Sequence, residues 1–103
     1  MGNYRASSQW SDTNELRCLQ ALLMLQEHNF PRGMQADLSR EIVATTELTY
    51  ETVNAKIGNY KSLLGLTAPS SASSSCKKMY KLFGHLMPGD LTPIIEGLDD
   101  EQL

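Results

Sequence analysis

Apolar residues recur with helical spacing along most of the chain, and nowhere do they alternate long enough for a convincing strand. The organising stretch runs from Asp37 to Leu64. Its second half places Val53, Ile57, Tyr60 and Leu64 at i, i+4, i+7 and i+11, which predicts a helix over Tyr50–Leu64 with one inward face. Thr49 is the expected N-cap, because its hydroxyl can accept a backbone N–H of the first turn. Gly65 is the expected stop. The opposite face carries Glu51, Ala55, Gly58 and Ser62, three of them small. A glycine inside a helix costs about 1 kcal/mol relative to alanine, which suggests close approach by another body. Thr52, Asn54, Lys56, Asn59 and Lys61 lie on the shoulders of that face.

Before this helix, Leu38, Ile42 and Val43 predict a shorter one over about Leu38–Thr46, broken at Thr45–Leu48, with Leu48 plugging the corner. TTELTYETV has strand-like composition, but the helical spacing downstream favours a turn and helix. Earlier still, Leu16, Leu19, Leu22, Leu23, Met24 and Leu25 make a face so broad that the Asp12–Glu27 helix should be covered on more than one side. Ser11 or Asp12 can cap it, Asp12 with Glu15 fits a loose capping box, and Trp10 is expected to anchor its start. Glu15, Arg17 and Glu27 read as solvated. Phe30-Pro31-Arg32-Gly33 ends the helix, and His28 near its end suits the helix dipole. Residues 1–9 read as a flexible leader whose Arg5 could reach a minor groove, although most such leaders do nothing of the kind.

After Gly65 the composition shifts. TAPSSASSS (67–75) reads as a flexible connector between a 10–66 unit and a 76–98 segment. In that segment Met79, Leu82, Phe83 and Leu86 fall at i, i+3, i+4 and i+7. They predict an amphipathic helix with Lys77, Lys78 and Lys81 off the stripe, weakened by Gly84 and ended by Pro88-Gly89. Thr92-Pro93 could open one further turn, and residues 99–103 form an acidic end expected to fray. The expected fold is all-α: a three-helix, helix-turn-helix-like unit followed by a C-terminal amphipathic helix.

Charge modifies this picture only slightly. The formal net charge of -3 is uneven, since five of the twelve acidic residues lie in the last fourteen. The other seven face all nine basic residues in positions 1–89, which are therefore +2. A mildly basic body permits nucleic-acid binding without demanding it. At 103 residues the chain has one modest domain's worth of core. It has no apolar run of about 18 residues and no secretory signal, and Ala6 departs from the myristoylation pattern. Two cysteines suit a reduced cytoplasmic protein better than a disulfide scaffold. Cys18 should be buried and Cys76, after the serines, more exposed.

Catalytic and metal signatures are missing. Cys18, His28, Cys76 and His85 stand singly, without the close pairs of a zinc site. No phosphate loop, nucleophile elbow or HExxH motif occurs. The expectation is a non-enzymatic protein without metal or cofactor.

Trp10 opening a helix, Glu15 shortly after, then Val53, Lys56, Ile57, Asn59, Tyr60 and Leu63 on a later helix form a recognisable set. It resembles the small helical region found ahead of HNH nuclease domains in bacterial restriction-type proteins. The resemblance covers about Trp10 to Leu64 and implies a DNA-recognition module, with Lys56 and Asn59 on the helix offered to DNA. Two features depart from that family. Glu47-Leu48-Thr49 stands where an arginine often precedes the last helix, and the nuclease is missing, so no cleavage carries over.

Two functions follow as expectations. In the first, the helix after Thr49 enters the major groove of duplex DNA. Thr52, Asn54, Ala55 and Asn59 then lie near base edges, and Arg40, Lys56, Lys61, Lys77, Lys78 and Lys81 meet phosphates. In the second, the chain is a protein-interaction module: a small adaptor, an antitoxin-like partner, an inhibitor from a mobile element, or a homodimer. There the small face or the Met79–Leu86 stripe receives a partner helix. The acidic pI of about 5.2 and the missing arginine favour this alternative.

Overall fold

A computed structural model describes residues 11–65 and 74–101. These form five helices: α1 (Asp12–Glu27), α2 (Met34–Thr45), α3 (Tyr50–Leu63), α4 (Ser74–Phe83) and α5 (Pro88–Glu101). The fold is all-α. The expectations for Arg5, for Trp10 and for positions 67–73 of the connector fall outside the described residues.

α1 is the axis of the molecule. Leu16, Cys18, Leu19, Ala21, Leu22, Leu23 and Leu25 are all buried, and α1 touches each of the other four helices. The breadth of its apolar face thus has its expected cause. Ser11 caps it, its Oγ accepting from Asn14 N at 3.2 Å. The far end closes with a left-handed Asn29 (φ 64°). Phe30 N donates to Leu25 O at 2.7 Å and Asn29 N to Gln26 O at 3.2 Å, the paired bonds of a Schellman closure.

Gly33, at φ 87°, turns the chain into α2, which begins earlier than the spacing suggests. Leu38, Ser39 and Ile42 are buried from it. Thr46 Oγ1 donates to Ile42 O at 2.8 Å and accepts from Leu48 N at 3.2 Å. That bridge fixes the corner and lets Leu48 fill the core, as expected. Thr49 Oγ1 then accepts from Thr52 N, so α3 starts on its predicted cap. Gly65, at φ 78°, follows its end.

The C-terminal pair departs from expectation in detail. The buried stripe of α4 is Cys76 and Met79 with half-buried Tyr80 and Phe83, spaced i, i+3, i+4, i+7. Leu82 is 51% exposed, so the stripe is rotated from the one the sequence suggests. Pro88 opens α5 rather than merely ending α4, and α5 is a full helix rather than a single turn. Pro93 lies inside it, one turn past Gly89, whose carbonyl is thereby left without the usual i+4 N–H donor. α5 docks on α1 through Leu91 and Ile95, and Gln20 Nε2 donates to Pro88 O (2.8 Å) and Thr92 Oγ1 (2.9 Å).

Candidate nucleic-acid interface

The outward side of α3 is bare of other described elements. Ala55 is exposed, Gly58 and Ser62 are half-buried, and a Cβ built on Gly58 would meet nothing within 4 Å. The glycine therefore reflects no close approach within the described fold. Glu51, Thr52, Ala55, Lys56 and Asn59 border a shallow depression along this side.

Two groups of polar side chains flank it. Gln35, in the first turn of α2, bridges to α3: its Nε2 donates to Asn54 Oδ1 at 2.8 Å, and its Oε1 accepts from Lys61 Nζ at 3.1 Å. Lys61 Nζ also lies 5.8 Å from the centre of the Phe30 ring, within cation–π range. Arg40 lies 5.6 Å from the centre of the Tyr50 ring and 3.5 Å from Asp37, with most of its side chain in solvent. Of the expected site residues, the structure thus brings Asn54 and Lys61 together through Gln35 and leaves Ala55 and Arg40 exposed. Thr52 is tied to its cap, Thr49 Oγ1 donating to Thr52 Oγ1 at 2.7 Å. Asn59 is half-buried, its carbonyl accepting from Ser62 Oγ at 2.6 Å. Lys77, Lys78 and Lys81 are exposed, but on α4, which joins the core through Cys76 and Met79. Gln35 carries no signal in the sequence, because its partners are 19 and 26 residues away.

Lys56 and Glu15 require correction. Lys56 is turned inward, and its Nζ lies 2.8 Å from Glu15 Oε1 in an ion pair whose side chains are 10% and 2% exposed. Neither is the solvated or phosphate-facing charge expected of it. Cys76 is likewise buried rather than exposed, beside Lys56 and Tyr60. Burial works against the charge on Lys56, but the hydrogen bond and charge of Glu15 outweigh it and hold its pKa above the ordinary value. Burial pushes the Cys18 thiol up to about 12, with Glu15's charge adding to it, and burial also raises Tyr60. The Cys18 thiol and the Tyr60 phenol are therefore neutral at physiological pH, and the cluster is enclosed. It ties α1 to α3 and offers no reactive nucleophile. No group of metal-ligating side chains occurs among the described residues.

Elsewhere, a cleft of about 430 Å³ lies between α1, α2 and α5, floored by Ala21, Leu38, Ile42 and Ile95 and edged by Arg17, Glu41 and Glu96. No described helix is long and apolar enough to cross a membrane. No protein-family model matches this sequence, and no curated protein or solved structure matches it either.

Proposed function

We propose that the chain is a non-enzymatic, helix-turn-helix-like module that binds duplex DNA through α3. The observation that carries this reading is the uncovered small-residue side of α3, flanked by amide and cationic side chains. A major groove admits a helix of this kind, and Ala55 and the methyl of Thr52 suit a thymine methyl. Asn54, Asn59 and Lys61 supply hydrogen-bonding groups along the same helix. Lys61 and Arg40 are the positioning cations, while Lys56 supports the fold from within. The resemblance to the HNH-associated region supports this reading through Asn59 on α3, but not through Lys56, which is buried against Glu15.

The test is fluorescence anisotropy of a labelled duplex over a salt series. Arg40→Ala with Lys61→Ala is expected to weaken binding and flatten the log–log salt dependence by about one unit for each phosphate deprived of its cation. No retention at about 50 mM salt, or unchanged affinity in the double variant, overturns the reading.

The protein-interaction alternative draws on different surfaces. Leu82 and Met87 are 51% and 57% exposed, and the α1–α2–α5 cleft is apolar at its floor. Size-exclusion chromatography with and without duplex separates the two: a dimer indifferent to DNA and abolished in Leu82→Glu supports this second reading.

A further inference from the structure

The hydrogen-bond chain through Gln35 has a fixed direction. A lysine ammonium can only donate, so the atom of Gln35 facing Lys61 Nζ at 3.1 Å must be the amide oxygen. The Gln35 amino group is then the atom 2.8 Å from Asn54, and it requires the Asn54 oxygen as its acceptor. The Asn54 oxygen is thereby turned toward α2 with one of its two lone pairs engaged, and its NH2 remains as a pair of donors. Asn54 and Lys61 lie two turns apart on α3, so both present donors from one side of the helix. Glu51, exposed and one turn before Asn54, adds a carboxylate acceptor.

We propose that Gln35 sets base specificity by locking Asn54 as a hydrogen-bond donor, so that α3 prefers a G·C pair at the position Asn54 reaches. This rests on the DNA-binding reading above. Adenine is read by an asparagine that uses oxygen and nitrogen together, against N6–H and N7. Here the oxygen faces Gln35, so offering it to adenine N6–H means sharing or breaking that bond. Guanine presents two acceptors, O6 and N7, to the major groove, which match donors, while the cytosine N4 amine of the same pair matches Glu51.

Gln35→Glu reverses the lock without removing it. A carboxylate only accepts, so it can hold Lys61 but must take the NH2 of Asn54, which turns the Asn54 oxygen outward. The experiment is selection of bound duplexes from a randomised library by the wild-type protein, Gln35→Glu and Gln35→Ala, followed by anisotropy on the enriched sequences. Thermal melts by circular dichroism accompany it, to show that each variant is folded. The wild type is expected to enrich one G·C position, and replacing it with A·T should cost about tenfold in affinity. Gln35→Glu should shift that position to a base whose donor faces the groove, and Gln35→Ala should lose the preference while still binding. Duplex binding with no guanine preference, or an unchanged preference in folded Gln35→Glu, overturns the inference and leaves DNA binding standing. No duplex bound by the wild type at about 50 mM salt overturns both.

Discussion

At the scale of single residues, the Glu15–Lys56 pair shows how far side-chain type can mislead. By type alone both charges belong outside, because charged side chains usually are. Their positions say otherwise. Val53, Lys56, Ile57 and Tyr60 run i, i+3, i+4, i+7, and so do Glu15, Cys18, Leu19 and Leu22. Each charge sits in the inward register of its helix, and the two registers meet where α1 crosses α3. Spacing holds the signal that residue type obscures. Breaking a buried pair by removing one partner leaves an uncompensated charge and typically costs about 3–5 kcal/mol. Lys56→Met should therefore destabilise the protein by roughly 3 kcal/mol in urea melts, with Glu15→Met/Lys56→Met recovering most of the loss. A single variant as stable as wild type would show that the pair contributes nothing to the fold.

The same cluster sets the response to alkali. Cys18, Lys56 and Tyr60 all hold their protons more tightly in the folded chain than in the unfolded one. Their stabilisation is complete below the ordinary values, which start at 9.0 for the thiol. It is lost as pH climbs from there toward the raised folded values, by about 1.4 kcal/mol per pH unit for each group ionised only when unfolded. Thermal melts in reductant should show a midpoint steady from pH 7 to about 8.5 that falls above about 9. Cys18→Ala should delay the onset of the fall to about pH 10, where tyrosine and lysine begin to ionise in the unfolded chain. An onset unmoved in that variant would remove Cys18 from the account.

At the scale of elements, α1 and α3 are legible because their caps and periods are local. Ser11, Thr49 and Gly65 stand where their neighbours predict. The α4 stripe is not, since CKKMYKLFGHL offers two overlapping registers with the same spacing. One begins at Cys76 and the other at Met79, and contact with Lys56 and Tyr60 selects the first. Gly58 misleads in a third way. A helical glycine invites the idea of a packed neighbour, yet the space above it is open. Gly58→Ala should accordingly raise stability by about 0.5–1 kcal/mol, because alanine fits and restricts the unfolded chain. A destabilised Gly58→Ala in urea melts would mean that the side of α3 is covered after all. Gly58→Leu, on the DNA-binding reading, should fold and yet lose the duplex.

At the scale of the whole molecule, the two C-terminal helices pack back on the first three. α5 lies against α1, and Gln20 reaches across to Pro88 and Thr92 over sequence separations of 68 and 72 residues. No local pattern encodes such a pairing; only the width of the α1 apolar face hints that more cover is needed. Leu91 is fully buried, as is Cys76 on α4, so both C-terminal helices complete the core rather than decorate it. A chain ending at Gly65 would leave α1 without the cover of Cys76, Met79, Leu91 and Ile95, and the Glu15–Lys56 pair would go without Cys76. Exposing several large apolar side chains at about 1.5–3 kcal/mol each approaches the whole stability of a domain this small. The 1–65 fragment should therefore show helical circular dichroism without a cooperative melt, and adding a 66–103 peptide should restore the transition. A cooperative melt of the fragment alone, at the midpoint of the full chain, would make α4 and α5 dispensable and return the molecule to the two-part organisation its serine-rich stretch suggests.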